Sequence, residues 1–101
     1  MRPVYPRNVS ARSDRRAARE TVARYHEEQL GELVRRVQPA IERFQAGEID
    51  AFEVDEVIFQ YTRAAKELWK FCSLGQVEFT ARTVREEQLG DWWDRGAPRR
   101  R

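Results

Sequence analysis

Cysteine occurs once in this chain, at Cys72, so no internal disulfide can staple the fold. Histidine also occurs once, at His26. One residue of each kind falls short of the four ligands that a structural zinc site takes. No Glu-x-x-His pair is present for a carboxylate-bundle metal site, and His26-Glu27-Glu28 lacks the second histidine of a zinc-protease helix. No metal and no cofactor are therefore expected. The five glycines are isolated, which excludes a glycine-rich phosphate loop. No stretch approaches the roughly 18–20 apolar residues of a membrane span. Met1 to Pro6 contain no apolar run of the kind that opens a secretory signal. The expected address is a bacterial-type cytoplasm, with no membrane partner.

Lysine is almost absent, at Lys66 and Lys70 only, so arginine carries nearly all the positive charge. That bias fits a GC-rich genome. The net charge of +2 is unevenly placed. Arg2, Arg7, Arg12, Arg15, Arg16 and Arg19 face Asp14 alone in the first nineteen residues. The stretch 20–72 is acidic, and Arg99, Arg100 and Arg101 close the chain. A basic arm thus precedes an acidic body. Such arms can meet phosphates, although nothing beside this one reads bases.

Charged residues make up 36% and apolar residues 41%, with aromatics at 11%. This is polar for a globular chain, yet too aromatic for a disordered one. The fitting architecture is all-α, with a narrow core and a wide solvated surface.

The periodicity agrees. Val22, His26, Leu30, Leu33, Val37, Ile41 and Phe44 recur at spacings of 4, 4, 3, 4, 4 and 3. That is the seam of a helix packed on another helix, as in a coiled coil. The first helix is placed at about 14–46, with Ser13 or Asp14 as its cap. Pro39 interrupts it, and because the apolar phase continues, a kink is preferred to a second helix start. Gly47 is the expected stop. Asp50 and Glu53 form a capping-box pattern, flanked by Ile49 and Val54 at the staple positions. A second helix follows over about 50–73, with Val54, Ile58, Tyr61, Ala65, Leu68 and Cys72 on its seam. The short turn makes the pair an antiparallel hairpin in which residue i faces about 97 − i.

Residues 77–89 suit a short third helix or a strand. Helix is preferred, because a single strand would have no partner. The expected organisation is a flexible basic arm at 1–12, one helical domain at 13–90, and a tail at 91–101.

The second helix is apolar beyond one seam, with Phe52, Val57, Phe59, Ala64, Trp69 and Phe71 on a second flank. Such a helix needs more than one neighbour. The neighbour can be the C-terminal segment folding back with Phe79, Leu89, Trp92 and Trp93. It can be a second copy making a four-helix homodimer, or an unknown protein partner. Phe52, Phe59, Trp69, Trp92 and Trp93 are the candidate partner-binding residues, because aromatics anchor interfaces. The 97 − i register sets His26 beside Cys72, and a Cys–His pair can activate a thiolate. No orienting third group and no oxyanion donors accompany it, so packed seam residues are the preferred reading.

Tyr25-His26-Glu27-Glu28-Gln29-Leu30, the segment Phe44 to Phe71 with Ala46-Gly47-Glu48-Ile49-Asp50-Ala51-Phe52, and the ending Asp91-Trp92-Trp93 resemble a group of short, uncharacterised helical proteins of high-GC, actinobacterial-type bacteria. The resemblance spans about residues 20–98. It implies a bacterial setting and supplies no site residues. The sequence therefore points to a non-enzymatic interaction or assembly module. The alternative is a small nucleic-acid-associated or antitoxin-like regulatory protein that uses Arg2, Arg7, Arg12, Arg15, Arg16 and Arg19.

Overall fold

The structure, a computed structural model, describes residues 7–98, with side chains from 11 to 98. Four helices follow one another: α1 (Arg7–Gln45), α2 (Ala51–Ser73), α3 (Val77–Glu86) and α4 (Trp92–Arg95). No strand occurs among the described residues, which settles residues 77–86 as helix.

α1 starts at Arg7, well before the expected cap, so Ser13 and Asp14 lie inside it. The segment 11–19 is mostly Ala and Arg, both strong helix formers, and this propensity outweighs two residues that favour caps. α3 packs on α1 just beyond the extension, at Ala18 and Val22. α1 continues through Pro39, which excludes a second helix start there. Pro39 and Arg35 are both exposed, so the Arg35 carbonyl left without its helical donor faces water.

The turn is built as its residues dictate. Gly47 adopts φ +78°, a conformation that costs glycine little. Its N–H donates to Phe44 O at 3.0 Å, and Glu48 N–H donates to Arg43 O at 2.9 Å. Together these bonds form a Schellman motif that satisfies the last carbonyls of α1. Asp50 then caps α2: its carboxylate accepts from Glu53 N–H at 2.9 Å, while Glu53 Oε1 accepts from Asp50 N–H at 3.2 Å.

α1 and α2 pair as a hairpin, and α1 outruns α2 toward its N-terminus. The Tyr25 and Phe71 rings meet edge-on at 6.1 Å, which fits the expected register. The overhang of α1 is covered by α3. Ala18, Val22 and Ala81 form one buried cluster there, joined by Cys72 and Val77. Small residues at 18 and 81 let the two helices approach closely. A second cluster, of Leu33, Ala64, Leu68 and Trp92, fills the middle of the hairpin.

Residues 91–98 are not a tail. Trp92 is only 2% exposed, and Gly96 is buried. The fold-back neighbour foreseen for the hairpin is therefore present, through Trp92 and Trp93. Phe79 takes no part in it, at 63% exposed.

Candidate interaction surface

The hairpin has two lateral faces, and they can be assigned from helix geometry. On α1, Arg36 follows the seam residue Leu33 by three, and on α2, Phe71 follows Leu68 by three. At 3.6 residues per turn, both step to the same lateral side of their helix. Because the helices run antiparallel, those two sides form one face. Val34 and Trp69 follow the same seam residues by one, so they lie together on the other face.

The first face is sealed by the C-terminal segment. Trp92 packs on Phe71, with ring centroids 5.4 Å apart, and its indole N–H donates to the Tyr25 hydroxyl at 2.6 Å. The Arg95 guanidinium stacks over the outer side of the indole at 4.0 Å. Side chains of α2 hold the segment by its backbone: Gln60 Nε2 donates to Trp93 O at 3.0 Å, and Arg63 Nε donates to Gly96 O at 2.6 Å. Arg36 of α1 pairs with Asp91, which caps α4 by accepting from Trp93 N–H. Gly96 lies so near α2 that a Cβ there would stand 2.6 Å from Ala64 N. Beyond Pro98, a groove of about 640 Å³ continues along this face toward the turn, with Arg36, Arg43, Arg63, Glu53 and Glu56 among its lining. Its mixed charges do not converge on one ligand chemistry.

The second face has no such cover. Val34 is 53% exposed and Trp69 52%, and Ile41 and Ile58 are also exposed. Half-buried Leu30 and Ala65 complete the stripe. A hollow of about 140 Å³ lies at its turn end, lined by Phe44, Ala51, Val54, Asp55 and Ile58. A contiguous apolar stripe across two helices is more than the scattered exposed side chains of a monomer surface. Sequence reading put Ile41 and Ile58 on the buried seam. The difference is one of angle: Ile41 follows Leu33 by eight residues and Ile58 precedes Leu68 by ten, so at about 100° per residue both stand about 80° from the seam, on the side of Val34 and Trp69.

The five aromatic candidates do not form one patch. Trp92 is core and is not available to a partner in this fold. Trp93 is half-buried under the Arg36 guanidinium, 5.7 Å from its ring. Phe52, 80% exposed, and Phe59 share a stripe on α2 away from the seam, since they are seven residues apart. Only Trp69 belongs to the open face. Val34 escaped sequence reading because it lies one step off the seam pattern.

Both ends of the hairpin are charged. Arg12, Arg15, Arg16 and Arg19 are exposed on α1, and none pairs with a carboxylate among the described residues. Their spacing places them on one side of α1, and Arg12, Arg16 and Arg19 continue the line of Leu30 and Ile41. The opposite end gathers Glu42, Glu48, Asp50, Asp55 and Glu56, all exposed, against Arg43. Arg2 lies outside the described residues, as do Arg99, Arg100 and Arg101; the side chain of Arg7 does too.

Cys72 is half-buried between the two core clusters, and burial pushes its thiol up to about 11. That shift favours the protonated form and opposes nucleophilic chemistry. His26 is half-buried on α1. Among the described residues, no three His, Cys, Asp or Glu side chains come together to hold a metal, and no helix is long and apolar enough to cross a membrane. No family model, curated protein or solved structure matches this chain.

Proposed function

We propose that this chain is a non-enzymatic interaction or assembly module, and that its working surface is the open face of the hairpin. One observation carries the reading: the chain seals one face with its own C-terminal segment and leaves Val34, Ile41, Ile58 and Trp69 exposed on the other. Aliphatic side chains beside a tryptophan, with charges at both ends, match the anatomy of protein interfaces.

The test is site-specific photo-crosslinking in the native cell. A crosslinking residue at 34 or 69 is expected to capture protein, whereas one at 52, on the other side of α2, is not. Absence of adducts at both open-face positions overturns the reading.

A second reading, phosphate contact by Arg12, Arg15, Arg16 and Arg19, is favoured by their exposure on one helix side. It requires nucleic-acid binding that weakens steeply with salt. A gel-shift series without binding at low salt removes it.

A further inference from the structure

We propose that the occupant of the open face is a second copy of this chain, docked antiparallel about a twofold axis that crosses the hairpins near Leu30 and Trp69. This rests on the open face being an interaction surface and names what covers it.

The charge distribution selects both partner and direction. One end of the hairpin carries Arg12, Arg15, Arg16 and Arg19 against Asp14 and Glu20, and the other carries Glu42, Glu48, Asp50 and Asp55 against Arg43. Two copies laid face to face in parallel would set arginines against arginines and carboxylates against carboxylates. Turned antiparallel, each basic end lies over the acidic turn of the other copy. The complementarity occurs twice, as the self-complementary contact of a twofold dimer requires.

At the middle of the face the apolar pattern agrees with this placement. Midway between the charged ends lie Leu30 on α1 and the Ala65–Trp69 stretch on α2. In the antiparallel arrangement, α1 faces α1 and α2 faces α2 of the other copy. Trp69 of each copy then comes opposite the small Ala65 of its mate, so that a large side chain meets a space. Four helices surround the seam, with each C-terminal segment on the outside. The basic end finds its partner within the dimer, so the arginines need no nucleic acid.

The test is light scattering with size-exclusion chromatography on the full chain, across concentration and salt. The expected species has twice the mass of the 12.0 kDa chain and loosens as salt rises. Trp69→Glu is expected to raise the dissociation constant at least about thirtyfold, as loss of a central anchor does. Circular dichroism checks that the variant stays helical.

Charge variants keep the test independent of folding, since the altered residues are exposed. Arg16→Glu with Arg19→Glu, and separately Glu42→Arg with Glu48→Arg, should each give monomers. The chain carrying all four substitutions should dimerise again, because only the antiparallel pairing restores opposite charges at both ends. A wild-type monomer up to millimolar concentration, or no recovery in the fourfold variant, overturns the proposal. If such a monomer still crosslinks to a different protein through positions 34 and 69, the interaction module stands and self-docking alone fails. If it crosslinks to nothing, both fail.

Discussion

Trp92 donates its indole N–H to the hydroxyl of Tyr25 at 2.6 Å, across 67 residues of sequence. The bond lets a large aromatic sit 2% exposed without stranding its polar atom. It also decides which face of the hairpin the chain keeps for itself. Phe71 lies against both rings, so one residue from each arm of the hairpin and one from the C-terminal segment meet at a single point.

Removing the Trp92 side chain should therefore unseat the whole segment. Trp92→Ala is expected to cost about 3–5 kcal/mol, the range for emptying an aromatic site in a core. Trp92→Phe keeps most of the ring and loses the bond, at about 1–2 kcal/mol. Urea denaturation of the three proteins, with midpoints compared at constant slope, measures both. Equal midpoints for wild type and Trp92→Ala would contradict the core assignment.

Gly96 makes a separate prediction, because its role is space and not conformation. Its φ is ordinary, at −90°, but a Cβ would collide with the backbone of α2 near Gln60 and Ala64. Gly96→Ala should cost about 1–3 kcal/mol through overpacking, although alanine is otherwise the better helix-end residue. The bond from Arg63 to Gly96 O would be lost with it. Hydrogen exchange at residues 92–97 is expected to speed up while the turn at 47–53 is unchanged.

The turn should respond independently of that segment. Asp50→Ala removes one half of the capping box and is expected to cost about 1 kcal/mol. Combined with Gly96→Ala, the two losses should add, since the sites share no partner. A thermal-melt comparison of single and double variants checks this.

These sites differ in how far they can be read from sequence, and the reason is range. The Asp50–Glu53 cap, the Gly47 stop and the seam Val22 to Val37 are local patterns, set by residues within a few positions of one another. Trp92 and Gly96 depend on partners in α1 and α2, and nothing near them in the chain names Tyr25 or Ala64. The start of α1 turns on competing local signals. Ser13 and Asp14 look like caps locally, while the Ala and Arg residues around them favour a longer helix. Of the surplus apolar residues on α2, Trp69 falls on the open face, whereas Ala64 and Phe71 turn to the C-terminal segment. Which residues make that face depended on knowing which side the C-terminal segment had taken.

Cys72 gives the last prediction, and it concerns pH. Its thiol is pushed up to about 11 by burial between the two core clusters, from an ordinary value of 9.0. The folded chain therefore holds this proton more tightly than the unfolded chain. The associated stability is fully present below pH 9 and is lost as pH rises toward and through 11. Tyr25 acts in the same direction, because burial raises its phenol above 10.0 although the bond from Trp92 opposes the shift. Melting temperature should hold level from pH 7 to 9 and fall above it. Cys72→Ser should lose a little stability at neutral pH and show a later alkaline onset, with Tyr25 alone remaining. At pH 8 the thiol should react with iodoacetamide about a hundredfold more slowly than a free cysteine, in proportion to its smaller thiolate fraction. Fast alkylation of the folded chain would show that Cys72 is not held between α1, α2 and α3 as described.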